Sequence, residues 1–354
     1  MPLAVAVRIE RDASLSGLNT LRVVARAAQL AYVDSEDDLR PAFNLQRAHH
    51  WPWLVLGGGS NVVLPRDYAG LVLAMRIKGV SITPADESGM AQITAAAGES
   101  WHQLVRRCLG AGLYGIENLA LIPGTVGAAP MQNIGAYGAE LSEVLLSVRV
   151  YLPAEDRFVT LTQAECAFSY RDSMFRHALR DRAVITAVTL QLQSTFVAKA
   201  HYPDIRLELV RMGKQHPRAI DVAEAVIRVR RRKLPAVQRF GNVGSFFKNP
   251  VLSAEIARTL LAREPVLAAS TRFDAHGGAK LAAAALIEQV GWKGRRVGDV
   301  AVWHRQPLVL INRGAATADD VLGVARAIAA DVQARFGVTL AIEPRVDFDT
   351  APGV

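Results

Sequence analysis

The stretch Ile122 to Gly138 reads I-P-G-T-V-G-A-A-P-M-Q-N-I-G-A-Y-G. It has neither the 3.6-residue period of a helix nor the alternation of a strand. It is rich in glycine, proline and small residues, yet apolar Leu119 and Leu121 precede it and Ile134 lies within it. A solvated loop would be more polar, so this segment reads as backbone meant to lie against something. Glycine lets peptide N–H groups approach a ligand with no side chain in the way, and it adopts φ > 0 without strain. A second element of this kind, L-G-G-G-S-N at Leu56 to Asn61, follows a short apolar run. Alone, that turn is as much a structural turn as a phosphate site. Paired with the longer loop, and with Asn61, Thr125 and Asn133 as hydrogen-bonding partners, it points to a large phosphate-bearing, dinucleotide-like cofactor wrapped by backbone. It does not match G-x-G-x-x-G, and no P-loop G-K-[ST] occurs.

Working outward, strands are expected at 21–27, 53–56, 71–76 and 92–97. A helix from Trp101 presents Leu104, Val105, Cys108 and Leu109 on one face and Arg106 and Arg107 on the other. Ser35-x-x-Asp38 is a capping-box pattern opening a helix to about Arg47. Strands resume at 144–151, 157–161 and 183–192, and 195–217 reads as an insertion. Beyond about residue 235 the pattern turns helix-dominated, with helices at 254–262 and 280–290, a strand at 308–312 and a last helix. Thr317-x-x-Asp320 caps that helix, and Gly337 ends it before a strand at 338–342. No internal repeat or low-complexity tract is present.

At 354 residues the chain exceeds one core, and its 51% hydrophobic content can bury more than one. No leader peptide and no bilayer-spanning run is read, so an intracellular, cytoplasmic protein is expected. The two cysteines, Cys108 and Cys166, read as small buried hydrophobes. Scattered histidines without ligand spacing argue against metal chemistry. Net charge is +8, which suits either nucleic acid or an anionic small substrate. The run Arg228 to Lys233, R-V-R-R-R-K, reads as a solvated helix end or as an anion contact at Lys233.

Three further motifs carry candidate chemistry. In G-N-V-G-S-F-F-K-N-P, Gly241 to Pro250, Ser245 is a short-range proton donor or an ordinary turn serine. It is no hydrolase elbow, because G-x-S-x-G is absent. In F-S-Y-R-D-S-M-F-R, Phe168 to Arg176, Arg171 is a carboxylate clamp or pairs with Asp172 to support a turn. In I-E-P-R-V, Ile342 to Val346, Glu343 sits in apolar sequence, either with a raised pKa or as a paired structural acid.

These motifs, together with A-G-E-S-W at Ala97 to Trp101, E-N-L-A-L before the long loop and R-R-x-K-L-P, stand in the order seen in the UDP-N-acetylenolpyruvoylglucosamine reductase (MurB) family. The resemblance runs from about Leu15 to Val346. The 195–217 segment and the paired Phe246 and Phe247 resemble its type I branch. The family implies an α+β flavoprotein: an FAD-binding fold of the vanillyl-alcohol-oxidase (PCMH) type in two subdomains, plus a C-terminal α+β substrate-binding domain. Residues 15–195 would bind FAD, 196–235 form the type I loop and linker helix, 236–340 bind substrate, and 341–350 return as a strand to the active site. The implied reaction is reduction of UDP-N-acetylglucosamine enolpyruvate to UDP-N-acetylmuramate, with noncovalent FAD and with NADPH as co-substrate. The resemblance makes Ser245, Arg171 and Glu343 catalytic. It gives FAD to Gly57, Gly58, Gly59, Ser60, Asn61, Ile122, Pro123, Gly124, Thr125, Gly127, Asn133, Gly135 and Tyr137. Substrate would meet Tyr170, Tyr202, Lys233, Asn249 and Gln306. No metal, nucleic acid or membrane insertion is implied, and a monomer is expected. The competing readings are an FAD oxidoreductase of the same fold acting on another anionic substrate, and a basic nucleic-acid-binding protein.

Overall fold

The computed structural model describes residues 7–65, 67–273 and 277–346. Met1 to Ala6 of the N-terminal reading and residues 347–350 of the expected returning strand lie outside them.

The first sheet explains the chain's most apolar runs. Its four strands lie in the order Arg8–Ser14, Arg26–Val33, Tyr68–Met75 and Trp53–Leu56. The last three are mutually parallel, and the first pairs antiparallel with Arg26–Val33. Leu71, Leu73 and Met75 face one hydrophobic core, while Val72 and Ala74 face a second. A strand buried on both faces cannot alternate polar and apolar residues, hence L-V-L-A-M. Helix α1, Leu39–His49, connects two of these strands, preceded by a 3₁₀ turn at Glu36–Asp38 that carries the Ser35/Asp38 capping box.

The second sheet is antiparallel throughout and sits on the first core. It runs Arg157–Thr162, Leu145–Leu152, Val184–Gln193, Met90–Ala96 and Val80–Thr83. Helix α2, Trp101–Gly110, buries Trp101, Leu104, Val105 and Cys108 against it. Burial pushes the Cys108 thiol up to about 12 and the Cys166 thiol up to about 11, as expected of inert buried cysteines. Residues 195–217 contain α3, Pro203–Arg211, with Pro203 at its first position, and α4, Ala219–Lys233, follows.

The second core joins the far face of the first sheet to the C-terminal third. That third contains a four-stranded antiparallel sheet ordered Gly241–Ser245, Val309–Asn312, Val300–Val302 and Arg296–Val297. A three-stranded sheet centres Gly278–Leu281 between Val251–Ser253 and Thr271–Phe273. Helices α5, Ala254–Arg263, α6, Ala283–Gln289, and α7, Ala318–Phe336, complete it.

Four sequence expectations need correction. The strand placed at 21–27 begins instead at Arg26. Its apolar lead is a tight loop around buried Asn19, which bonds Leu15 O, Val23 O and Val23 N, with Arg22 at φ +60°. The helix read from Lys280 starts at Ala283, because Lys280 and Leu281 are strand. Residues 338–342 form no strand. Val338 and Leu340 are buried, and Ile342 makes a single bridge to Phe247. The last third is not helix-dominated, for its strands are short and their spacing hid them.

Helix α7 starts as its sequence promised. Thr317 Oγ1 accepts from Asp320 N at 3.2 Å, and Thr317 N donates to the Asp320 carboxylate at 2.9 Å. Thr317→Ala should cost about 1 kcal/mol, read as a lower urea midpoint. An unchanged midpoint would show that packing alone holds the helix.

Candidate functional site

Two backbone loops meet at the ends of the parallel strands. Strand Trp53–Leu56 runs into Gly57–Asn61, and the long loop lies against that turn. A Cβ on Gly57 would stand 2.3 Å from Thr125 Oγ1, and one on Gly58 2.8 Å from Gly124 Cα. Gly59 has φ +58°, the left-handed region that favours glycine. A cavity of about 630 Å³ opens beside this contact. Gly57 to Asn61, Thr125 and Gly127 line it, along with Arg176, Lys248 and Arg345. Thr125 Oγ1 is buried there without a hydrogen-bond partner. Buried hydroxyls rarely go unpaired, so this one is suited to a ligand group. A glycine turn lining the cavity and an orphaned hydroxyl beside it fit a diphosphate-bearing cofactor.

Ile122, Pro123, Gly124, Asn133, Gly135 and Tyr137 do not line the cavity. They shape the loop behind it. Asn133 is buried at φ +44°, with its amide engaged by Glu140 and Ser142 N, each at 2.9 Å. Asn61 Nδ2 donates to Gln132 Oε1 at 2.7 Å.

The C-terminal segment closes the site. Arg345 N donates to Asn61 O at 3.0 Å, and Val63 N donates to Arg345 O at 2.9 Å. The Arg345 guanidinium grips Asp181 with bonds of 2.8 and 2.7 Å. One turn earlier the same segment runs antiparallel to Phe246–Lys248. Glu343 N donates to Phe246 O at 3.0 Å, and Lys248 N donates to Ala341 O at 2.9 Å. Ser245 therefore stands one residue from Glu343's backbone partner. It ends a strand whose register shifts between Asn242 and Ser245, with Gly244 at φ +72°. A bulge of this kind re-aims a side chain.

Arg171 and Glu343 come together, with Nε 3.4 Å from Oε1. Arg171, itself at φ +55°, also donates from Nη2 to Gly135 O at 2.7 Å. Burial pushes the Glu343 carboxyl above its ordinary value, against the pull of Arg171, Lys248 and Arg176. Both alternatives left open for Glu343 thus hold at once: it is paired, and its pKa is raised. Lys248 donates to Arg171 O at 3.2 Å, and burial lowers its pKa. Lys248 and Arg176 were not singled out by sequence, although both lie inside quoted motifs. No pattern of spacing marks a cation whose role depends on a distant carboxylate.

Four of the five expected substrate contacts have a local side-chain partner. Tyr170 hydrogen-bonds Asn249, whose Oδ1 caps α6 by accepting from Ala283 N at 2.9 Å. Lys280 Nζ lies 3.4 Å from the Tyr170 ring centre. Lys233 pairs with Asp204 at 2.6 Å, and its carbonyl accepts from Trp303 Nε1 at 2.9 Å. Gln306 is on the turn after Trp303, and its Oε1 is buried without a partner. Tyr202 is exposed and meets Tyr137 edge-on at 5.4 Å. Among the described residues no cluster of His, Cys, Asp and Glu can hold a metal, and no helix is long and apolar enough to cross a membrane.

Residues 235–346 match the family model "UDP-N-acetylenolpyruvoylglucosamine reductase, C-terminal domain", and residues 27–162 match "FAD binding domain". A UDP-N-acetylenolpyruvoylglucosamine reductase of Ralstonia nicotianae is 48% identical over 93% of this chain and 96% of its own length. The Azoarcus sp. protein of that name is 46% identical over 97% of this chain and 99% of its own. The crystal structure of the Thermus caldophilus enzyme (MurB) aligns with a TM-score of 0.63 at 28% identity, covering 96% of this chain and 99% of that one. A VAO-type flavoprotein of Myceliophthora thermophila shares the fold at a TM-score of 0.50 and 13% identity, over 91% of this chain and 73% of its own.

Two outcomes follow from this geometry. Gly58→Ala places a methyl group against the Gly124 backbone, so the variant should purify with little flavin by absorbance; wild-type flavin content would contradict the close approach. The folded chain keeps the Glu343 proton at pH values where the unfolded chain, near 4.5, has released it. The stability tied to that proton is full below the unfolded value and is lost as pH rises through the folded one. Glu343→Gln, which cannot ionise, should therefore gain thermal midpoint relative to wild type as pH rises. A flat difference would mean the carboxyl ionises as readily folded as unfolded.

Proposed function

The chain belongs to the UDP-N-acetylenolpyruvoylglucosamine reductase family, and on that premise we propose how its residues divide the work. It is an FAD-dependent oxidoreductase that reduces UDP-N-acetylglucosamine enolpyruvate to UDP-N-acetylmuramate, with NADPH as electron source, in peptidoglycan precursor synthesis. When bound, FAD supplies the hydride that adds to the methylene carbon of the enolpyruvyl group. Gly57 to Asn61, Thr125 and Gly127 would hold the cofactor, the glycine turn offering backbone donors and the Thr125 hydroxyl a free polar group.

Hydride addition gathers negative charge on the carboxylate side of the substrate. Arg171 and Glu343 stabilise it there. A bare carboxylate would repel that charge, and burial disposes Glu343 to hold a proton it can share. Ser245 donates a proton to the neighbouring carbon. A serine hydroxyl is a weak acid, but a carbanion-like carbon is a strong enough base to take its proton. The carrying observation is the pairing of Ala341–Glu343 with Phe246–Lys248, which sets the carboxyl and the hydroxyl on adjacent backbone.

Lys233, Asn249, Tyr170, Tyr202 and Gln306 bind the sugar nucleotide, and the unpartnered Gln306 oxygen accepts from a ligand donor. Lys233 must then exchange its Asp204 contact for a phosphate. Residues 15–195 form the cofactor unit, 196–235 the intervening loop and helix, 236–340 the substrate unit, and 341–346 the returning segment. The protein acts as a cytoplasmic monomer. FAD, NADPH and the UDP-sugar are all anionic, and a net charge of +8 favours their approach.

An anaerobic experiment separates the two half-reactions. Ser245→Ala should be reduced by NADPH at the wild-type rate. Its flavin should then be reoxidised by the enolpyruvyl sugar nucleotide about 10²–10⁴-fold more slowly. Unaltered reoxidation would remove Ser245 as the donor, and a wild-type flavin that the sugar cannot reoxidise would remove the reaction.

A further inference from the structure

Leu121 is held in a conformation that its residue type resists. Its φ is +59°, in the left-handed region that L-residues other than glycine rarely keep without support. Two side chains hold its peptide. His102, in the first turn of α2, accepts from Leu121 N through Nδ1 at 3.0 Å. Arg230, in the last turn of α4, donates from Nε to Leu121 O at 3.2 Å. The chain then runs directly into Gly124 and Thr125, which Gly58 and Gly57 approach closely. The start of α2 pins the same loop on both sides of Leu121. Trp101 Nε1 donates to Leu119 O at 3.1 Å, and Trp101 N to Gly124 O at 3.2 Å. Neither His102 nor Arg230 lines the cavity.

The geometry points to His102 and Arg230 as positioning residues for the cofactor. By fixing the left-handed Leu121 peptide they set where Gly124 and Thr125 meet the glycine turn, and His102 does so only while its Nδ1 carries no proton. This rests on the FAD reading above and names the residues that keep the cradle in register.

A peptide N–H can be received only by a ring nitrogen with a free lone pair, and a protonated imidazole has none. The charged groups facing His102 are Arg106 on its own helix and Arg230 and Arg231 on α4. Tyr137, from the loop itself, hydrogen-bonds Arg230. Burial and then the three arginines hold the imidazole below the usual histidine value. The acceptor is thus present at neutral pH and is lost only as the solution becomes acidic.

The test is FAD affinity of the full-length chain, stripped of flavin and titrated by flavin fluorescence, with circular dichroism confirming the fold. His102→Leu should raise the Kd about tenfold at pH 7, the worth of one good hydrogen bond. His102→Asn, whose side-chain oxygen reaches where Nδ1 stood, should stay close to wild type. In a Leu121→Gly background, His102→Leu should change the Kd much less, because glycine takes the left-handed conformation unaided. The wild-type Kd should rise on acidification, and that of His102→Asn should rise less. A folded His102→Leu that binds FAD like wild type overturns the proposal. So does an undiminished effect in the Leu121→Gly background, or an acid response shared equally by wild type and His102→Asn. A wild-type chain that takes up no FAD ends the proposed function itself. Normal wild-type uptake with an equally tight His102→Leu ends this role alone.

Discussion

The contact between Gly57–Gly58 and Gly124–Thr125 is the constraint on which the rest of the structure depends. Two backbone segments, more than sixty residues apart, approach so closely that a single added methyl would collide. Everything around it serves to hold that approach. The parallel strands present the glycine turn at their ends. Helix α2 pins the long loop from behind, and Arg345 ties the turn to the C-terminal segment. Backbone amides have fixed directions and cost no side-chain entropy to orient, which suits them to a cofactor that stays bound.

The first sheet explains how one chain builds both a cofactor cradle and a reacting cluster. It is buried on both faces, one toward the second sheet and one toward the C-terminal third. The C-terminal third therefore shares a core with the cradle, and the segment 342–346 and Lys248, which line the cavity, are held there by packing as much as by hydrogen bonds. The concentration of cations there, Arg171, Arg176 and Lys248, is tolerable because Glu343 and Asp172 sit among them. It also leaves a positive balance for anionic ligands.

Much of this was legible in the residues. Glycine turns, the Thr317 and Ser35 boxes, and the amphipathic face of α2 rest on local rules, and local rules survive folding. The FAD fold and the family came from motif order over nearly the whole chain. What stayed hidden was non-local. Residues 21–27 read as strand because most of the stretch is apolar, yet Asn19 bends its first part into a loop and the strand starts at Arg26. Val338 to Ile342 read as strand, although burial and one bridge account for its apolar pattern. The bonds of the Asn133 amide to Glu140 and Ser142 N are likewise beyond the reach of spacing. Lys248, Arg176 and the Arg345–Asp181 pair depend on partners that no spacing encodes.

The stitching of Ala341–Arg345 to both Asn61–Val63 and Phe246–Lys248 also bears on biogenesis. These contacts span most of the polypeptide, so loop-closure entropy must be overcome late, and folding should be slow for a protein of this size. During translation the cofactor-binding portion emerges long before the segment that completes it. The first core draws only on residues up to Val229, whereas the second, and the stitching by Ala341–Arg345, wait for the C-terminal third.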